Sequence, residues 1–212
     1  MTLTLYFLRH GETPYTKTGA YCGSLDPELT SEGKQMAEAF AAAYRTLPWA
    51  GVYVSPRKRT IATAQPLCAA IGAEMQMREG LKEMDFGKWE GNTPDWVREN
   101  YLDDYINWMT EPSWNAPTEG ETAVEVVSRA ISVIAEIEAQ FSTGNVLIVA
   151  HKTTIRILLC NLLGIDLGRY RDRMEVRVGS VSVVKFSTYG PLLQRLGDRA
   201  HLNEALQSRA ET

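Results

Sequence analysis

The chain is short of cysteine, short of histidine and carries no excess of positive charge. Its three cysteines, Cys22, Cys68 and Cys160, are odd in number, widely spaced and in no metal-ligand array. That excludes a disulfide framework and a zinc site built on cysteine. Reduced thiols are expected, as in the cytoplasm. A formal net charge of −4 gives no electrostatic footprint for nucleic acid or for an anionic membrane. No apolar run reaches membrane-spanning length, and no basic stretch followed by a cleavable apolar segment opens the sequence. The expectation is a cytoplasmic protein that binds neither nucleic acid nor membrane. Any anionic ligand must then be held by a local cluster of cations. Internal repeats and low-complexity tracts are also absent.

What is present is an apolar fraction of 44% in 212 residues, enough for a sizeable core. The length favours one domain, read as residues 1–212. Strand patterns near 3–8, 51–54, 74–77 and 146–150 alternate with helix patterns near 31–46, 57–71, 120–141 and 152–163. Two further strands are expected near 181–186 and 191–196. The order predicts an α/β fold, a three-layer αβα sandwich around a mostly parallel sheet. Residues 14–29 read as a polar loop punctuated by Pro14, Gly19, Gly23 and Pro27. Residues 79–118 are irregular, with helical pieces near 94–110. That is long for a connection in a compact domain, and it reads as a cover over a site.

Three of the predicted strands end in reactive polar residues. The first runs into Arg9-His10-Gly11-Glu12-Thr13, the second into Ser55-Pro56-Arg57-Lys58-Arg59, and the fourth into His151-Lys152. Parallel strands bring these ends to one edge, where open α/β sheets bind ligands. A lone histidine at a strand end is as readily a satisfied core residue. Two of the chain's three histidines at the same edge point instead to a site. Arg57 and Lys58 read as solvated, whereas Arg59 points inward. A cationic run at a helix start is electrostatically disfavoured unless an anion answers it.

The run Leu8-Arg9-His10-Gly11-Glu12-Thr13 is followed by Gly23-x-x-Asp26-Pro27-x-Leu29-Thr30-x-x-Gly33, Ser55-Pro56-x-x-Arg59-x-x-x-Thr63-Ala64 and Leu81-Lys82-Glu83-x-x-Phe86-Gly87-x-Trp89-Glu90-Gly91, then His151. In that order and spacing the blocks resemble the histidine phosphatase (phosphoglycerate mutase-like) superfamily, over about residues 3 to 186. The resemblance implies that His10 attacks phosphorus and becomes phosphohistidine, which water then hydrolyses. It implies that Arg9, Arg59 and His151 surround the transferring phosphoryl group. His10 must attack through a neutral nitrogen, so its other nitrogen is expected on a backbone carbonyl such as that of Gly11. Glu83 is the implied general acid for the leaving alkoxide and then the base for water. Glu90 reads as structural. No cofactor and no metal are expected.

Two positions depart from the family pattern. Thr16 stands where Asn is usual, and it can still donate to a phosphate oxygen. Lys152 stands where Gly usually follows the second histidine; it either faces solvent or reaches an acidic substrate group. Gly23 joins these two as an expected substrate contact. Near the end, Leu196-Gly197-Asp198-Arg199-Ala200-His201-Leu202 resembles the tail of the metal-independent phosphoserine phosphatases, which makes His201 a candidate for the substrate's carboxylate. Tyr21-x-Gly23-x-Leu25-Asp26-Pro27 and Trp108-x-x-Glu111-Pro112 fit the same branch. The expected partner is a small phosphorylated metabolite, with phosphoserine favoured, and family habit allows a homodimer. A phosphoglycerate mutase, a sugar-phosphate or glucosyl-3-phosphoglycerate phosphatase, and a non-catalytic phospho-ligand binding module remain open. Residues 91–118 are shorter than the insertion known mutases carry there.

Overall fold

The central strands are apolar on both faces, and the computed structural model shows what each face meets. It describes residues 2–209; Met1 and residues 210–212 of the expected 1–212 domain lie outside the described residues. The strands are β1 (Leu3–Arg9), β2 (Trp49–Val54), β3 (Met75–Met77), β4 (Gly144–Ala150), β5 (Val181–Ser187) and β6 (Gly190–Asp198). They form one six-stranded sheet in the order β3-β2-β4-β1-β5-β6. β1 and β2 both run parallel to β4, and β3 parallel to β2. β5 is antiparallel to β1 and to β6. The result is an α/β fold with a mostly parallel sheet.

Because side chains alternate along a strand, each run feeds two cores. On one face Leu8, Val54 and Val149 pack with Phe40 of α2 (Ser31–Tyr44) and Leu67 of α3 (Lys58–Ile71). On the other, Phe7, Ile148 and Ala150 pack with Ile134 of α6 (Ala123–Gln140) and Leu158 of α7 (Lys152–Leu163). Each fully buried Leu, Ile or Phe side chain contributes about 1.5–3 kcal/mol. Helices on both faces make the three layers that the alternating pattern predicts.

Residues 14–29 are not entirely loop: α1 (Pro14–Thr18) opens that stretch. Thr13 caps it in a reciprocal pair with Thr16, Pro14 takes the first turn, and Gly19 ends it at φ +72°. Five residues are too few to show a helical period, so the stretch reads as loop in the sequence. Within 79–118 lie 3₁₀ turns at Glu79–Leu81 and Gly87–Trp89, then α4 (Pro94–Asn100) and α5 (Leu102–Thr110). Trp89 and Trp108 meet edge to face at 5.3 Å, with Tyr21 against both. This aromatic cluster fastens the segment to the domain. The chain continues through α8 (Tyr170–Arg173) and α9 (Glu204–Gln207). Among the described residues no helix is long and apolar enough to cross a membrane.

Candidate active site

The turn after β1 is pressed against the start of α2. A Cβ on Gly11 would stand 2.4 Å from the Gly33 carbonyl oxygen, and one on Gly33 2.2 Å from that of Glu12. Glycine is required at both because backbone meets backbone there. Gly11 N–H donates to Thr63 Oγ1 at 3.0 Å, and Thr30 Oγ1 donates to Glu12 Oε1 at 2.7 Å. Glu12 thus locks the turn rather than entering the chemistry.

That locked turn aims His10. Its Nδ1–H donates to the Gly11 carbonyl at 2.8 Å, which leaves Nε2 as the nitrogen with a lone pair. Burial, then the positive charges of Arg59 and Arg9, hold the ring well below the ordinary histidine pKa. His10 is therefore neutral near pH 7, as a nitrogen nucleophile must be. The His151 ring stands 5.2 Å from it, centroid to centroid.

Arg59 is 1% exposed and held on four sides. Its terminal nitrogens donate to the carbonyls of Leu25 at 2.7 Å and of Cys22 and Gly23 at 3.2 Å. Its Nε donates to His151 Nδ1 at 3.2 Å. Arg9 donates to the Val176 carbonyl at 2.8 Å. Glu83 reaches across from the 79–118 segment to the N-terminus of α7. Its carboxylate accepts from the N–H groups of Met84 at 3.0 Å and of Thr153 and Thr154 at 3.1 Å. The Thr154 hydroxyl adds a fourth contact at 3.2 Å.

Arg9, His10, Arg59 and Glu83 line one cavity of about 280 Å³, together with Thr16, Cys22 and Lys152. Phe86, Pro94 and Trp108 of the 79–118 segment form part of its wall. Burial pushes the Cys22 thiol up to about 11, so it is no competing thiolate.

Other expected contacts are placed differently. His151 is buried behind Arg59 and outside the cavity wall, its Nε2 paired with Ser55 Oγ at 2.8 Å. Thr16 is on the wall, but its hydroxyl donates to the Thr13 carbonyl at 2.9 Å instead of facing the cavity as a donor. Gly23 is off the wall, and its N–H donates to the Glu90 carboxylate at 2.8 Å. Glu90 also accepts from Ser24 at 2.8 Å and from Phe86 at 3.2 Å, the structural role expected of it. Lys152 does reach the cavity. His201 does not: its ring packs edge-on against Phe40 and Tyr44 of α2, at 5.7 and 5.8 Å, and burial lowers its pKa to about 4.

Arg156, Tyr170 and Arg171 are among the wall residues that no sequence motif marks as part of the site. Arg156 had a signal, being charged between Ile155 and Ile157, both fully buried.

Comparison with known proteins identifies the family. The family model of the histidine phosphatase superfamily (branch 1) matches residues 5–199. Phosphoserine phosphatase 1 of Hydrogenobacter thermophilus is 30% identical over 200 residues, 94% of each chain. The adenosylcobalamin/alpha-ribazole phosphatase of Salmonella typhimurium is 28% identical over 161 residues, 76% of this chain and 80% of that one. Among solved structures, YhfR of Bacillus stearothermophilus superposes with a TM-score of 0.87 at 26% identity, over 94% of this chain and 98% of that one. The chain belongs to branch 1 of the histidine phosphatase superfamily and is a phosphatase.

Proposed function

We propose that the protein hydrolyses a small phosphomonoester through a phosphohistidine on His10, without a metal, and that phosphoserine is the favoured substrate. The observation that carries this is the His10 Nδ1–H bond to Gly11, which leaves a neutral Nε2 beside Arg9, Arg59 and Glu83. In the first step the Nε2 lone pair forms the N–P bond while the ester P–O bond breaks. As general acid, Glu83 delivers a proton to the leaving alkoxide. In the second step Glu83 takes a proton from water as its oxygen attacks phosphorus, and the P–N bond breaks to release phosphate. Arg9 and Arg59 neutralise the oxygens of the transferring group, so the chain supplies the charge a metal would otherwise bring. His151 keeps Arg59 in place from behind.

The cavity volume supports a small substrate. About 280 Å³ lies just below the ~300–1,000 Å³ range for pockets that enclose drug-sized ligands. Phosphoserine fits that scale, and it is the substrate that the Hydrogenobacter relative is named for. Free thiols at Cys22, Cys68 and Cys160 support a cytoplasmic location.

The test is phosphate release in EDTA from phosphoserine, 3-phosphoglycerate, glucosyl-3-phosphoglycerate, fructose 1,6-bisphosphate and p-nitrophenyl phosphate. Release that EDTA does not slow, fastest from phosphoserine, is the expected result. Silence on every ester contradicts hydrolysis, and conversion of 3-phosphoglycerate to its 2-isomer would make the protein a mutase.

A further inference from the structure

The cavity has a wall that the phosphoryl chemistry does not use. Arg171 of α8 stands over the Trp108 ring, its guanidinium carbon 3.7 Å from the ring centroid. Its buried Nη1 has no hydrogen-bond partner. Beside it are Tyr170, 1% exposed with a buried hydroxyl that bonds to nothing, and Arg156, whose buried Nε is likewise unmatched. Among the described residues neither guanidinium forms an ion pair. Burial, and after it the charge of Arg9, work against the Arg156 cation. Buried donors without acceptors are unfavourable, and native proteins rarely keep several together. All three residues line the same cavity as His10.

Charge points the same way. A phosphate dianion answers Arg9 and Arg59 and leaves Lys152, Arg156 and Arg171 lining the cavity with Glu83 as its one acidic wall residue. That carboxylate is already committed to the N-terminus of α7. The missing group is an anion that comes with the substrate. Its shape follows from the chemistry of Arg171, whose guanidinium carries its N–H donors in one plane as a fork and has a buried Nη1 without an acceptor. A planar acceptor with two oxygens matches that fork, and the Tyr170 hydroxyl and Arg156 add donors from the side.

We propose that Arg171, Arg156 and Tyr170 form a carboxylate subsite, and that the enzyme selects phosphomonoesters bearing a carboxylate. The inference rests on the phosphatase reading and makes it specific. It moves the carboxylate contact from His201, which lies off the cavity, to the wall formed by α7, α8 and Trp108.

Phosphoserine and phosphoethanolamine differ only in the carboxylate, so the ratio of their kcat/KM values isolates the subsite. The wild-type ratio should be roughly thirtyfold or more, the scale of losing a buried charged contact. Arg171→Met keeps the packing on Trp108 and should collapse most of that ratio; Arg156→Met and Tyr170→Phe should each lower it. Misfolding cannot imitate this, because both esters are measured on one preparation. A wild-type ratio near one, or a ratio unmoved by R171M and R156M, overturns the subsite while leaving the phosphatase intact. No release from any ester, p-nitrophenyl phosphate included, overturns the phosphatase reading and the subsite with it. A preference seen only for fructose 1,6-bisphosphate over fructose 6-phosphate, and lost in R171M, overturns the carboxylate in favour of a second phosphate.

Discussion

Arg59 Nε lies 3.2 Å from His151 Nδ1, and that contact fixes the tautomer of the second histidine. A guanidinium has no acceptor, so Nδ1 must hold the lone pair. The ring proton is then on Nε2, where it meets Ser55 Oγ at 2.8 Å. Burial, the Arg59 charge and His10 keep this ring well below the ordinary histidine pKa. One arginine therefore grips the loop over residues 22–25 through its carbonyls and sets the protonation of the residue behind it.

Arg59→Lys keeps the charge but loses the fork that reaches Cys22, Gly23 and Leu25. Its kcat/KM should fall by roughly 10²–10³, as when one transition-state donor is removed. Steady-state kinetics check this, and near wild-type turnover contradicts it.

Glu83→Gln keeps the side chain's shape at the start of α7 but can no longer give or take a proton there. Turnover of an alkyl ester should drop by roughly 10²–10⁴. Phosphorylation by p-nitrophenyl phosphate, whose leaving group needs no proton, should suffer much less. Equal losses in both first steps would remove the acid role.

Glu90→Ala strips the acceptor from Gly23, Ser24 and Phe86 N–H groups and should cost about 1–3 kcal/mol. Since the same loop supplies the carbonyls that grip Arg59, kcat/KM should fall with Tm. A loss of stability without any loss of rate would separate the two.

Acid should act on rate and on stability. His10 must be neutral to attack, and its depressed pKa puts the acid limb of kcat/KM below the ordinary value of about 6.5. For stability, His10, His151 and His201 all have native pKa values lowered by burial. Below about pH 6.5 the unfolded chain takes up protons that the native state refuses, so stability falls as pH drops toward the native values. Tm should be flat above that pH and decline below it. His201→Asn should make the decline shallower and leave KM for phosphoserine unchanged; a raised KM would return His201 to the substrate.

Residues at strand ends were readable because topology alone carries them to one edge. His10, Arg9 and Arg59 follow from β1, β2 and their parallel order. Glu83 is different: in a loop rich in acids it drew notice only through the family resemblance. What sequence spacing did not reveal is whether a polar group is already satisfied. The Thr16 hydroxyl is engaged by Thr13, the Gly23 N–H by Glu90, and the His201 ring packs on α2. Arg171 was hidden for the converse reason. The run Arg169-Tyr170-Arg171-Asp172-Arg173 is dense in charge and carries no site motif, and only packing against Trp108 brings one arginine to the cavity.

The central claim is a covalent intermediate on His10. Rapid acid-free quench of the enzyme with ³²P-labelled phosphoserine, followed by mapping of the labelled peptide, tests it most directly. The expected result is an acid-labile, base-stable adduct on the peptide containing His10, absent from a folded His10→Ala variant that has lost most turnover. Phosphate release with no such adduct, or near wild-type turnover in His10→Ala, would contradict it.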